Sequence, residues 1–328
     1  MRKICCILSA LCFWLVFPAQ ALSGGDIYLG ELGGIGERPP TPKGECIVGN
    51  ETRLSTLFAM YSPLGVGGRS PMPPNSTQPG DQDTARLLFA IPQKTVFAAA
   101  DHLSNIYLIA ADNSLEKYDS TGIRVARYTN NRLGRAAYAD VSNPLKILLW
   151  FADFQTVVIL DRTLNEMGQL QLSEAGFPAV RCVALAQDGN IWIYDDAGFR
   201  LLKITASGAI LMESQPMNLV FPRRLVATCI RDNGEMVFLS DPEQGISTFD
   251  QYGYLRRTFP DLKTSQFEVT GDWLVFIDGG VLRFEHLSRF QSLKIALPTA
   301  AEGAIWASGR LIFVQKRDNL EVWTYRLL

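Results

Sequence analysis

One phrase recurs six times in this chain, and it limits the fold more than any other feature. The copies are "NIYLIAADNSLEKYD" (105–119), "KILLWFADFQTVVILD" (146–161), "NIWIYDDAGFRLLKI" (190–204), "EMVFLSDPEQGISTFD" (235–250), "WLVFIDGGVLRFE" (273–285) and "RLIFVQKRDNLEVWT" (310–324). Each holds an apolar run of four or five residues, an aspartate-centred turn and a second apolar run, which is the signature of a β-hairpin. The copies stand 37 to 45 residues apart. A second marker, an apolar residue followed by proline, recurs out of phase at Ile91-Pro92, Phe177-Pro178, Phe221-Pro222, Phe259-Pro260 and Leu297-Pro298. Proline suits the end of an outer strand, where its missing N–H spoils no ladder bond.

Further apolar stretches precede each hairpin ("VRCVALA", "LVATCI") and follow it ("ILMES", "LRRTF"), giving about four strands per repeat. Six four-stranded units of some 40 residues predict an all-β, six-bladed β-propeller over residues 86–328. "RLLFAIP" (86–92) reads as an outer strand with no blade before it, while the last repeat ends after its third strand. The N-terminal strand is therefore expected to complete the last blade, closing the ring and removing an exposed edge.

At its hairpins the chain resembles the NHL-like and TolB-like group of six-bladed propellers, whose repeats carry an apolar strand, an aspartate turn and a strand ending in Asp before a Gly turn. "YLIAADNSLEKYDSTG" and "LLWFADFQTVVILD" carry the resemblance best, and "DGG" and "QKRDN" are weak versions of the turn. A longer stretch, "NPLKILLWFADFQTVVILDRTLNEMGQLQLSEAGF", is similar to uncharacterised bacterial secreted propellers, which implies a compartment and no activity.

Residues 1–21 read as a signal peptide: Arg2 and Lys3, an apolar run from Ile4 to Phe17, and "PAQA" ending at Ala21. An exported protein is expected, periplasmic or outer-membrane-associated, with the extracellular space second. Residues 22–85 hold 12 glycines and 8 prolines and read as a largely irregular arm. Asn50 and Asn75 begin sequons that matter only in a eukaryotic secretory pathway. Without Arg2 and Lys3 the chain carries 29 basic and 33 acidic side chains and no long run of either sign, which argues against a nucleic-acid partner. No later apolar run reaches membrane-spanning length, so no transmembrane segment is expected in the mature chain. Cys46, Cys182 and Cys229 remain after cleavage. Their odd number argues against a disulfide framework; a Cys182–Cys229 bridge is conceivable, and two buried thiols are the preferred reading.

Chemistry is sparse. Asp112, Asp153, Asp195, Asp241, Asp278 and Asp318 occupy one phase of the repeat, so a closed ring sets them on one face. Such carboxylates could hold a cation, but aspartate in a tight turn bonds its own backbone and recurs for that reason alone. His102 and His286 are the only histidines, too few for a three-histidine zinc site, and neither a metal nor a cofactor is expected. There is no G-x-S-x-G elbow, phosphate loop or H-E-x-x-H. Arg223, Arg224, Arg256 and Arg257 flank the Phe-Pro markers of adjacent repeats and form the candidate interaction patch, with a solvated surface as the plainer reading. Trp150, Trp192, Trp273, Trp306 and Trp323 recur with the strands and read as core.

This inventory leads to an expectation of a monomeric, non-enzymatic propeller, a platform for an envelope or secreted protein partner. A second reading is a small-molecule or carbohydrate-binding propeller, a hydrolase or lyase among them, working through its central channel. The two differ in one observable: a ligand binder shows a carboxylate- or arginine-lined pocket in the channel mouth, and a platform shows an exposed patch on one face.

Overall fold

The computed structural model describes residues 85–297 and 303–326. The readings of a signal peptide, of the arm up to residue 84, of Asn50, Asn75 and Cys46, and of Pro298 lie outside the described residues.

Twenty-four strands form six antiparallel sheets of four strands each. Blades 1 to 5 run in chain order over residues 95–129, 136–171, 180–213, 229–259 and 268–296. Blade 6 takes Ile305–Ser308, Leu311–Gln315 and Leu320–Thr324, and its fourth strand is Arg86–Ile91 from the other end of the domain. Leu87 pairs with Trp323 and Ile91 with Leu320, so the predicted ring closure is present. The fold is a six-bladed β-propeller. Its one helical element among the described residues is a 3-10 turn, Met217–Leu219.

Within each blade we letter the strands a to d from the channel outward. The inner strands Thr95–Ala100, Ala136–Asp140, Val180–Leu185, Cys229–Asp232, Glu268–Thr270 and Ile305–Ser308 ring the axis, and neighbouring inner strands lie against one another in most blade pairs. Strands b and c are the recurring phrase. They are mostly apolar and deeply buried because a blade is covered on both faces by its neighbours: Ile106–Ala110, Ile191–Asp195 and Gly245–Asp250 are buried at every position. Outer strands are the most exposed of each blade; Glu166–Gln171 reads polar, whereas Ile210–Glu213 exposes Ile210 and Leu211. The weak turns at 278–280 and 316–319 close genuine hairpins between strands b and c of blades 5 and 6.

Of the proline markers, Pro92 and Pro260 directly follow outer strands, as expected. Pro178 and Pro222 instead stand in the d-to-a connections between blades, where the preceding Phe177 is buried against blades 2 and 3. A connection imposes no ladder, so it tolerates proline equally well.

Candidate functional site

Two adjoining cavities open between the inner strands, at the end of the channel where the d-to-a connections arrive. One, of about 240 Å³, lies among Phe97, Arg231, Gln266, Glu268, Phe276 and Trp306. The other, of about 190 Å³, lies among Tyr138, Trp150, Arg181, Cys182, Cys229 and Arg231. Arg231 and Gln266 line both. Joined, they reach the lower end of the size range of small-ligand pockets, which starts at about 300 Å³.

Arg231 organises the site. It sits on the inner strand of blade 4 and makes a bidentate pair with Glu268 of blade 5, Nη2 to Oε1 at 2.9 Å and Nε to Oε2 at 3.2 Å. Its Nη1 donates to Tyr138 Oη of blade 2 at 2.5 Å and to its neighbour's carbonyl, Ile230 O, at 2.9 Å. Phe97 of blade 1 meets the Tyr138 ring edge-on, with centroids 5.3 Å apart. The Arg231 side chain is 14% exposed and that of Glu268 is 27% exposed. This charge pair stands in a narrow, partly desolvated throat, where Coulomb interactions are stronger than at the surface.

Burial pushes the Tyr138 phenol well above its usual range, partly offset by the Arg231 charge. Burial works to lower the Arg231 guanidinium, but Cys229, Glu268, Tyr138 and Asp140 outweigh it and hold the group more firmly charged than usual. Both thiols are raised, chiefly by burial, with Arg181 and Arg231 opposing at Cys182 and Arg231 opposing at Cys229. Cys182 and Cys229 are free, so the conceivable bridge is not formed. The set offers a permanent cation at Arg231, a phenol O–H at Tyr138 and the Glu268 carboxylate that Arg231 holds.

At the mouth, Asp196 stands between two arginines: Arg181 Nε is 3.0 Å from its Oδ1, and Arg224 Nη2 is 2.6 Å from its Oδ2.

The turn aspartates stand at or in the b–c turns, at the same end of the ring as the channel mouth, and bond to their own turns, to strand c or to the adjoining d-to-a connections. Asp112 accepts from the backbone N–H and hydroxyl of Ser114, Asp195 from Ala197 N–H, and Asp153 from Arg135 N–H. Asp241 accepts from the N–H groups of Val226, Glu243 and Gln244. Asp278 pairs with Arg283 at 2.8 Å, and Asp318 lies in the last such turn. Among the described residues no cluster of three or more histidines, cysteines or carboxylates is arranged to hold a metal ion, and no helix is long and apolar enough to cross a membrane.

The four arginines do not meet as one patch. Arg223 and Arg224 precede the inner strand of blade 4, and the carbonyl of Arg224 accepts from Gln244 in the b–c turn. Arg256, second in the outer strand Leu255–Phe259, lies toward the opposite end and pairs with Asp250 at 2.5 Å, while Arg257 donates to Leu287 O and lies 4.3 Å over the Phe259 ring. Sequence proximity to the Phe-Pro marker hid a strand's length of separation between the pairs. Of the tryptophans, Trp192 is fully buried and donates to Asp232 at 2.9 Å, Trp150 and Trp306 border the channel cavities, and Trp273 and Trp323 are partly buried. His102 is exposed in the first a–b turn, and His286 stacks edge-on against Trp273.

Sequence reading missed Tyr138, Arg181, Arg231, Gln266 and Glu268. One signal was there: Arg181 interrupts the otherwise apolar "VRCVALA", and Arg231 directly follows "LVATCI", so both put a guanidinium on an inner strand.

No protein-family model matches the chain, and no curated protein matches it in sequence. Solved structures do match in fold. Virginiamycin B lyase from Staphylococcus aureus superposes with a TM-score of 0.54 at 12% identity, over 75% of this chain and 100% of that one. A catalytically inactive variant of the same enzyme, in a structure with quinupristin, gives 0.52 at 12% identity over the same shares. At this identity the likeness shows the fold alone. It nevertheless corrects the expectation of a chain that is not an enzyme: that inference rested on missing linear motifs, and the same fold houses a lyase. A propeller collects its reactive groups from inner strands of separate repeats, so a motif search along the chain does not see them.

Proposed function

We propose that this chain is a small-molecule-binding propeller that takes its ligand into the channel mouth and acts on it as a lyase or hydrolase. The observation that carries this reading is the pocket lined by Tyr138, Arg181, Arg231, Gln266 and Glu268, the arginine- and carboxylate-lined mouth by which a ligand binder differs from a platform. Arg231 anchors and polarises the bound molecule. Glu268 accepts a proton from it, and the protonated Tyr138 phenol donates one to the departing oxygen. The lyase neighbours supply the reaction class by analogy of fold. Kinship with the NHL-like and TolB-like propellers and export to the envelope belong to the same reading; N-terminal sequencing of the secreted chain checks the latter.

The test is a thermal-shift screen of the full chain against small molecules, quinupristin and oligosaccharides included, followed by mass spectrometry of each binder after incubation. Binders that lose their effect in Glu268→Gln and Tyr138→Phe, and turn over only with the unsubstituted chain, support the proposal. A panel without a single binder, or binders indifferent to both substitutions, would sink it.

A further inference from the structure

We infer that the smaller channel cavity selects small carboxylate monoanions, with Arg181 as the group that seizes the carboxylate. This rests on the reading of the channel as a ligand site and names the chemistry of what enters it.

The charge count comes first. Arg181 and Arg224 face Asp196, and Arg231 faces Glu268, three guanidinium groups against two carboxylates. Asp140, deeper in the channel, adds a third carboxylate that acts on Tyr138, Cys229 and Arg231 and balances the count; its two oxygens accept from the backbone N–H groups of Ser142 and Leu185, and it does not line the 190 Å³ cavity. The carboxylates also stand aside: Asp196 and Glu268 border their arginines but do not line the 190 Å³ cavity, whereas Arg181 and Arg231 both do.

Donor capacity comes second. Arg231 spends four N–H groups on Glu268, Tyr138 and Ile230 O. Arg181 uses only Nε, toward Asp196, and its two terminal nitrogens have no partner among the described residues. A planar guanidinium with free parallel N–H groups matches a carboxylate bidentately. One guanidinium with free donors, beside a second whose donors are spent, suits a monoanion better than a dianionic phosphate.

Shape comes third. Tyr138 and Trp150 wall the cavity, and 190 Å³ is the room of about six waters at 30 Å³ each, enough for one ring with its carboxylate. The larger cavity beyond Arg231 admits a longer substituent.

Titration calorimetry on the full chain at pH 7 tests this with benzoate, its neutral isostere benzamide and inorganic phosphate. Benzoate is expected to bind at least tenfold more tightly than benzamide or phosphate, and Arg181→Gln is expected to remove that preference while circular dichroism stays unchanged. Equal binding of benzoate and benzamide, or a preference that survives Arg181→Gln, overturns the inference and leaves the channel a ligand site of another specificity. Tighter binding of phosphate also overturns it. Failure of all three probes together with failure of the screen above removes both readings.

Discussion

Arg231 of blade 4 donates to the phenol of Tyr138 in blade 2 across the channel, 93 positions away in the chain and with a whole blade between them. The same guanidinium holds Glu268 of blade 5, so one side chain ties three inner strands together. Arg231→Met leaves Glu268 in the throat without its partner. We expect a loss of about 2–3 kcal/mol in urea unfolding, below the roughly 3–5 kcal/mol of fully buried pairs because Glu268 keeps 27% of its side chain exposed. Adding Glu268→Leu to Arg231→Met should recover most of that loss. A double variant less stable than the single would show that the pair itself, and not the orphaned carboxylate, carries the stability.

Gly245 closes the b–c hairpin of blade 4 opposite Asp241 at φ +91°, and a Cβ there would stand 2.1 Å from Phe259 O. Gly279, in the equivalent turn of blade 5, is also left-handed at φ +56° but has open space around it. Gly245→Ala adds a clash with backbone to the conformational penalty and should cost about 2–4 kcal/mol, against about 1 kcal/mol for Gly279→Ala. Chemical denaturation of the two variants side by side checks this, and equal losses would mean the outer strand of blade 4 yields freely.

The c–d turn of blade 2 is organised by Asp161, which accepts from Asn165 N–H, from the N–H and hydroxyl of Thr163, and from the Asn165 amide. These bonds lower its pKa from 3.8 to about 2. A carboxylate depressed in the folded state contributes stability that is complete above its unfolded pKa and is lost as pH falls through the folded one. The gap in urea midpoint between the unsubstituted chain and Asp161→Asn should therefore be constant above pH 5, narrow between about pH 4 and pH 2, and vanish below. A gap unchanged at pH 2 would show that the turn does not depend on the ionised carboxylate.

The architecture was legible because blade geometry repeats its demands. Every b–c hairpin needs a turn and two doubly covered strands, so Asp112, Asp153, Asp195 and Asp241 return with the same apolar flanks. The channel makes no such repeated demand. Tyr138, Arg231 and Glu268 sit on inner strands but share neither residue type nor spacing, and what unites them is convergence on an axis that the linear chain does not display. The arginine patch erred for the complementary reason: Arg224 and Arg256 stand beside successive Phe-Pro markers in sequence, while the antiparallel sheet carries them to opposite ends of blade 4.

Ring closure depends on Arg86–Ile91, which joins the outer side of blade 6 by pairing with Leu320–Thr324. Ile91 is buried, and Phe89 reaches past its own blade to lie against Gly122 in blade 1, so this strand also couples the last blade to the first. A chain beginning at residue 93 would expose the Leu320–Thr324 edge and remove the Phe89 and Ile91 contacts from blade 1, leaving the other three strands of blade 6 to cover it. Unpaired edges recruit other chains. We expect that truncation to lose single-transition unfolding and to form oligomers at micromolar concentration, while a chain beginning at residue 85 unfolds in one step. Light scattering and urea titration of the two separate the outcomes. A monomeric 93–328 chain with the urea midpoint of 85–328 would mean that blade 6 stands on three strands and that the N-terminal strand decorates the ring instead of closing it.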